Sequence, residues 1–387
     1  MLDPMSGHVT RMFGAVAAGC ALAASGLATA GTAGTTGAAG AARPGLSGGM
    51  AQSAAAICCS LSGVGAFAGN AWAVGSAGGL GSVILHWNGT AWTRVPGPGS
   101  PGDVLGGVAV VSARDAWAVG HTSSRAGRDA PLVLHWNGST WRKVPSPNLG
   151  ASSTLDGVAA ASADDVWAVG STGMGRLTCG GCTVLILHWN GSTWKRVPSP
   201  TLKVGSGLAG VAVVSADDAW AVGYAPGLAG GTLILHWNGK AWTRSPSPSL
   251  GHAYTTLAGV AAASARSAWA VGLTGDSTLV LHWDGTTWKR VPSPSSPSGG
   301  ILAAVAAASA RSAWAVGATD SGNTLILHWN GKAWKQQRSP NPTPGHGEYL
   351  VGVAAAAARN AWAVGYAAGG QQALIVHWNG VSWTTTT

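Results

Sequence analysis

The sequence predicts an all-β protein, a seven-bladed β-propeller with four-stranded antiparallel blades. Three observations predict it. The chain repeats seven times at a spacing of 45 to 53 residues, and each copy carries three tryptophans, which account for all 21 in the chain. Every copy contains four short apolar runs separated by turn residues, the signature of a propeller blade rather than a helical solenoid. Composition agrees: there are 60 glycines, 9% charged residues and a single glutamate, Glu348. Helices draw on Glu, Lys, Leu and Gln, so this balance disfavours them.

The blade reads approximately GVAAASADDAWAVG, a variable stretch, LILHWNGTWKRVPSP and a second variable stretch. Strand a (GVAAASA) is built of Gly, Ala and Val, small enough for the crowded axis where blades converge. Strand b (AWAVG) carries the first tryptophan: Trp72, Trp117, Trp167, Trp220, Trp269, Trp314 and Trp362. Strand c (LILHW) is apolar on both faces because a neighbouring blade covers each side, and its Trp always follows a His, from His86-Trp87 to His377-Trp378. Strand d (WKRVP) begins with the third Trp and carries the Lys, Arg and Pro that blunt an outer edge. Asn-Gly joins c to d in six copies and Asp284-Gly285 in the fifth, which predicts a two-residue hairpin turn. With that turn Trp87 would face Thr90 and Trp92 would pair with Leu85.

Blade limits follow at about 58–101, 102–151, 152–203, 204–252, 253–298, 299–346 and 347–387. Residues 1–30 read as a secretory signal peptide: His8 and Arg11, an uncharged stretch from Met12 to Leu27, and the small residues Ala28-Thr29-Ala30 at the cleavage positions. Cys20 after Ala-Ala-Gly offers a lipoprotein site as the alternative. Residues 31–57 are a low-complexity tether expected to be disordered. The mature chain is expected to be secreted, with no transmembrane segment and as a monomer.

Four cysteines remain after cleavage. Cys179 and Cys182, separated by two glycines, are expected to form a local disulfide in an oxidising compartment. A zinc site with Cys58 and Cys59 is the alternative, and the adjacency of that pair argues against it. No cofactor or metal is expected. The net charge of +9 comes from residues placed singly or in pairs at one repeated position, such as Arg142-Lys143 and Lys195-Arg196. That spacing fits a solvated edge, and nucleic acid is not expected as a partner.

The order AWAVG, LILHWNG, WKRVP resembles the kelch and galactose-oxidase-type propellers, over residues 58 to 387. Their blades run through a strand ending in Gly-Gly, a Tyr-Asp turn and a Trp on the last strand. Here the second Gly is absent and His-Trp stands where Tyr usually sits. The chain is also similar to repeat proteins exported by high-GC Gram-positive bacteria. The resemblance implies a propeller; copper chemistry of the galactose-oxidase type would need converging Tyr, His and Cys ligands. Asp284 to Trp288 is similar to the Asp-box of sialidase-like propellers, where such a turn is structural.

Repetition itself separates architecture from function. A His present in all seven blades cannot mark one active site, and it is read as a buried hydrogen bond tying strand c to a neighbouring blade. The sequons at Asn88, Asn137 and Asn190 are read as by-products of the turns. In an a-b-c-d meander the a–b and c–d turns share one rim, and the b–c and d–a connections share the other. Only the second rim varies. Between the Gly of AWAVG and strand c, the fifth blade has six residues (Leu273 to Thr278) and the third fourteen (Ser171 to Val184). Binding loops on a rigid scaffold concentrate at such a rim. Its non-repeated side chains are His121, Arg125, Arg128, Asp129, Arg176, Tyr224, His252, Tyr254, His346, Glu348, Tyr349 and Tyr366. These imply a non-catalytic binding or scaffold propeller for a glycan or protein. The alternative is a sialidase-like glycoside hydrolase using rim carboxylate, Tyr and Arg groups, including Asp276 and Asp320. Glycoside hydrolysis needs paired carboxylates or a Tyr nucleophile backed by one, and the neighbours Glu348 and Tyr349 would point oppositely in an extended segment.

Overall fold

A computed structural model describes residues 59–124, 127–173, 181–202, 205–226, 231–251, 254–294 and 299–386. They form seven sheets, each of four antiparallel strands in sequence order, making a seven-bladed propeller. Blade one is a Ser60–Phe67, b Asn70–Ser76, c Ser82–Trp87 and d Trp92–Arg94. The other sheets span 103–143, 152–196, 207–244, 255–290, 300–337 and 349–385. No helix among the described residues is long and apolar enough to cross a membrane.

Strand a lines the axis, and its small residues let neighbouring backbones approach. A Cβ on Gly63 would lie 3.0 Å from Gly107 Cα of blade two, and one on Gly352 of blade seven 3.2 Å from Gly63 Cα. The ring therefore closes through the same Gly-to-Gly approach that joins blades three to four and four to five, with Ala304 taking the Gly place in blade six. Strand a also bulges, shifting register between Leu61 and Gly63 and at the matching place in the other blades. The bulge presses against the Gly that ends AWAVG. A Cβ on Gly272 would come 2.9 Å from Leu257 Cα and collide with Thr256 O, so this repeated glycine is a packing requirement.

Tryptophans fill the widening wedges. Each strand-b Trp is at most 3% exposed and meets the strand-c and strand-d Trp of the following blade. Trp220 lies 4.8 Å from Trp283 and 5.1 Å from Trp288, the latter edge to face. Trp117, Trp167, Trp269 and Trp314 repeat the arrangement. Such pairs add about 0.5–1.5 kcal/mol each beyond the area they bury.

Two expectations are corrected. The c–d connection is a four-residue loop, and Trp87 pairs directly with Trp92 while Leu85 pairs with Arg94. The reason is the Asn side chain. Asn88 Oδ1 accepts hydrogen bonds from the N–H groups of Thr90 and Ala91, and Asn88 N–H donates to Ala91 O. An Asx turn thus replaces the two-residue hairpin. Asp284 does the same in blade five, its carboxyl held well below the usual range by Lys289 first and then by the loop N–H groups.

The repeated His binds within its own blade and is only partly buried. In all seven blades Nε2 meets the first residue of strand b at 2.7–3.3 Å: Asn70, Asp115, Asp165, Asp218, Ser267, Ser312 or Asn360. The cause is register. Trp72 and His86 are cross-strand partners, and the imidazole lies over the indole at 4.3 Å, aimed at the strand-b start rather than across the wedge.

Candidate functional site

Loop lengths divide the two rims sharply. Two residues separate a from b in every blade, and four separate c from d. The b–c connections run from two to nine residues, and the d–a connections from eight to eleven. The constant rim is internally tied. In blades two, four, five and six the strand-c indole donates to the a–b turn carbonyl, as Trp237 Nε1 does to Ala216 O at 3.0 Å.

The rim candidates fall into three groups. In blade two, strand b runs past AWAVG to Ser123, so His121 is a buried strand residue beside Pro131 and not a loop residue. Arg128 is exposed in a short turn where Ser124 N–H donates to its carbonyl at 2.8 Å. Asp129 opens strand c, is buried, and accepts from Ser123 Oγ at 2.7 Å, while its N–H donates to Ser152 Oγ at the start of strand a in blade three.

Tyr224, which ends strand b of blade four, faces Tyr254 at 6.3 Å. Burial, followed by the neighbouring Tyr224, pushes the Tyr254 phenol up to about 12. Its buried hydroxyl has no hydrogen-bond partner among the described residues.

The third group lies where blade six leads into blade seven. Tyr349 and Tyr366 are cross-strand partners with rings 5.3 Å apart, and burial, then Tyr349, raises the Tyr366 phenol. Glu348 is fully buried and closes its own loop: Oε1 accepts from Thr343 N–H and, at 2.8 Å, from Thr343 Oγ1. Its N–H donates to Gly322 O, tying the loop to the b–c turn of blade six. His346 is exposed on that loop. Arg125, Arg176, His252 and Cys179, hence the proposed Cys179–Cys182 pairing, lie outside the described residues, as does the N-terminal segment read as signal and tether. Among the described residues no group of three or more His, Cys, Asp or Glu could hold a metal ion.

Two features were missed in the sequence. Asp103, buried at the start of strand a in blade two, accepts from Ser100 N–H at 2.9 Å, an acidic loop closure parallel to Glu348. Blade six also carries two clefts. One, of about 450 Å3, lies between Thr319, Asn323 and Thr324 of the b–c turn and the segment Gln336 to Ser339. The other, of about 860 Å3, lies between Gln337 to Asn341 and the outer hairpin of blade seven. The departure of Lys335-Gln336-Gln337-Arg338 from the repeated Lys-Arg-Val-Pro was the available signal.

No protein-family model matches this sequence, and no curated protein does. Solved structures do. A structure of YCF48 bound to D1 peptide shares 13% identity at a TM-score of 0.53, covering 84% of this chain and 94% of that one. YCF48 from Cyanidioschyzon merolae shares 16% at 0.52, over 83% and 95%. A structure of U3-55K shares 10% at 0.53, over 79% and 88%. At these identities the likeness is one of fold. It supports a propeller, and it does not single out the kelch or galactose-oxidase type.

Proposed function

We propose that the chain is an exported, non-catalytic propeller that binds a glycan or protein ligand through the b–c and d–a rim. One observation carries this reading: connections of constant length on one rim and of variable length on the other. A scaffold under packing constraint alone would have no reason to vary a single face. Three acidic groups on that rim support a non-catalytic role, since Asp103, Asp129 and Glu348 each close a loop of their own. The YCF48 structure bound to D1 peptide is a precedent for a propeller of this fold carrying a peptide. Export rests on the N-terminal pattern and the cysteine usage.

The test applies the purified chain to an array of glycans and bacterial surface proteins, and separately to chromogenic glycosides. Saturable binding without turnover is expected. Glycoside turnover that disappears in Glu348→Gln would make the protein a hydrolase instead.

A further inference from the structure

The outer mouths of five of the seven wedges between blades are stoppered by a repeated device. Val95, Val144, Val197 and Val291, just past strand d of blades one, two, three and five, pack partly buried against the apolar cluster shared with the next blade. Leu149, Leu202 and Leu250 do the same from the d–a connections of blades two, three and four. Blade six lacks both stoppers. Gln337 and Arg338 stand where blades one, two, three and five place Val-Pro, and Pro342 stands at the Leu position of blades two, three and four. Among the described residues the cluster joining blades six and seven takes no side chain from either place, as is also true where blade seven meets blade one. The 860 Å3 cleft opens at this mouth.

Its lining is chemically distinct. One wall carries the Gln337 and Asn341 amides and the exposed Arg338 guanidinium; the other carries the half-buried Trp378 and the exposed Thr384 and Val381. Val381 is 77% exposed, one of three exposed large hydrophobic residues among those described. No side-chain carboxylate of the described residues lines the cleft. The first wall is held in place, because Asn341 Oδ1 accepts from Thr324 N–H at 2.8 Å and from Thr324 Oγ1 at 2.9 Å. The same segment walls the smaller cleft at the b–c turn of blade six, so Gln337, Arg338, Ser339 and Asn341 face both clefts.

We infer that this groove between blades six and seven is a binding site for a short oligosaccharide, neutral or bearing carboxylates. The inference rests on the reading of the chain as a binding propeller and assigns that reading a place and a ligand class. Planar amides and a guanidinium present paired donors and acceptors suited to vicinal hydroxyls or a uronate carboxylate. The indole and Val381 offer apolar surface to the C–H face of a pyranose ring. The volume falls within the roughly 300–1,000 Å3 of small-ligand clefts.

The decisive variant is Gln337→Val with Arg338→Pro, which restores the sequence of four other blades and stoppers the cleft. The full chain and this variant are applied to an array of neutral and uronate-containing oligosaccharides and to a peptide array, with thermal melting measured on both. The inference predicts saturable oligosaccharide binding by the full chain, weakened at least about tenfold in the variant at unchanged melting temperature. Equal oligosaccharide binding by both proteins would overturn the groove while sparing the binding reading. Peptide binding alone, lost in the variant, would overturn the ligand class. No saturable binding on either array would overturn both.

Discussion

Trp362 of the last blade meets Trp92 of the first edge to face, with ring centroids 5.1 Å apart at 89°. Trp220 and Trp288, at an interior joint, stand 5.1 Å apart at 88°. The closing joint thus repeats the interior ones, and all four strands of every blade come from one continuous stretch of chain.

Equal joints should fail equally. Trp362→Ala and Trp220→Ala are each expected to cost about 3–5 kcal/mol, the range for a large core aromatic, and to agree within about 1 kcal/mol. Denaturant unfolding of the two variants checks this. A much smaller cost at Trp362 would show that the ring closes more weakly than it propagates.

The glycine ending AWAVG is held by packing rather than by turn geometry. Gly272→Ala forces a methyl group onto the bulged backbone at Thr256 and Leu257, and is expected to cost about 3 kcal/mol or more. Gly79→Ala, whose Cβ would meet nothing within 4 Å, should stay within about 0.5 kcal/mol. Comparable melting temperatures for both variants would remove the packing explanation.

Four of the seven repeated histidines meet neutral partners: His86 with Asn70, His282 with Ser267, His328 with Ser312 and His377 with Asn360. Burial holds these four below their ordinary 6.5. Above 6.5 they are neutral in the folded and the unfolded chain, and their contribution is fully present. As pH falls below 6.5 the unfolded chain takes up protons that the folded one resists, so stability is lost. Melting temperature should fall between roughly pH 7.5 and 5.5, and replacing these four by Gln should shrink the drop. An unchanged pH profile in that variant would assign the acid sensitivity elsewhere.

The blade architecture was legible because its determinants are local and repeated. Three tryptophans, an Asn-Gly pair and a constant Gly recur at fixed offsets, and sheet order follows from a meander with short turns. The errors came where a side chain acts across space. Asn-Gly reads as a two-residue turn until Asn88 Oδ1 is seen to cap two N–H groups, which lengthens the loop and brings Trp87 opposite Trp92. The destination of His86 depends on its stacking over Trp72, which no spacing reveals. At the rim, pairing of Tyr366 with Tyr349 and Ala373 carries strand b past its glycine, so some apparent loop residues are strand residues. The blade-six groove arises from absent stoppers, and an absence becomes meaningful only once Val95 and its counterparts are seen inside the wedges.

The repeated a–b turns are scaffold, and the variable rim, where Arg338 and Asn341 wall the clefts, meets the ligand. Binding of the full chain to an array of glycans and surface proteins tests it, with two variants alongside. One changes the variable rim at the d–a connection that walls the groove, Arg338→Ala with Asn341→Ala; the other changes the exposed a–b turn arginines, Arg114→Ala with Arg311→Ala and Arg359→Ala. The account predicts affinity lowered by about tenfold or more in the first and kept within about twofold in the second. Loss confined to the second variant would place the ligand on the constant rim and contradict it.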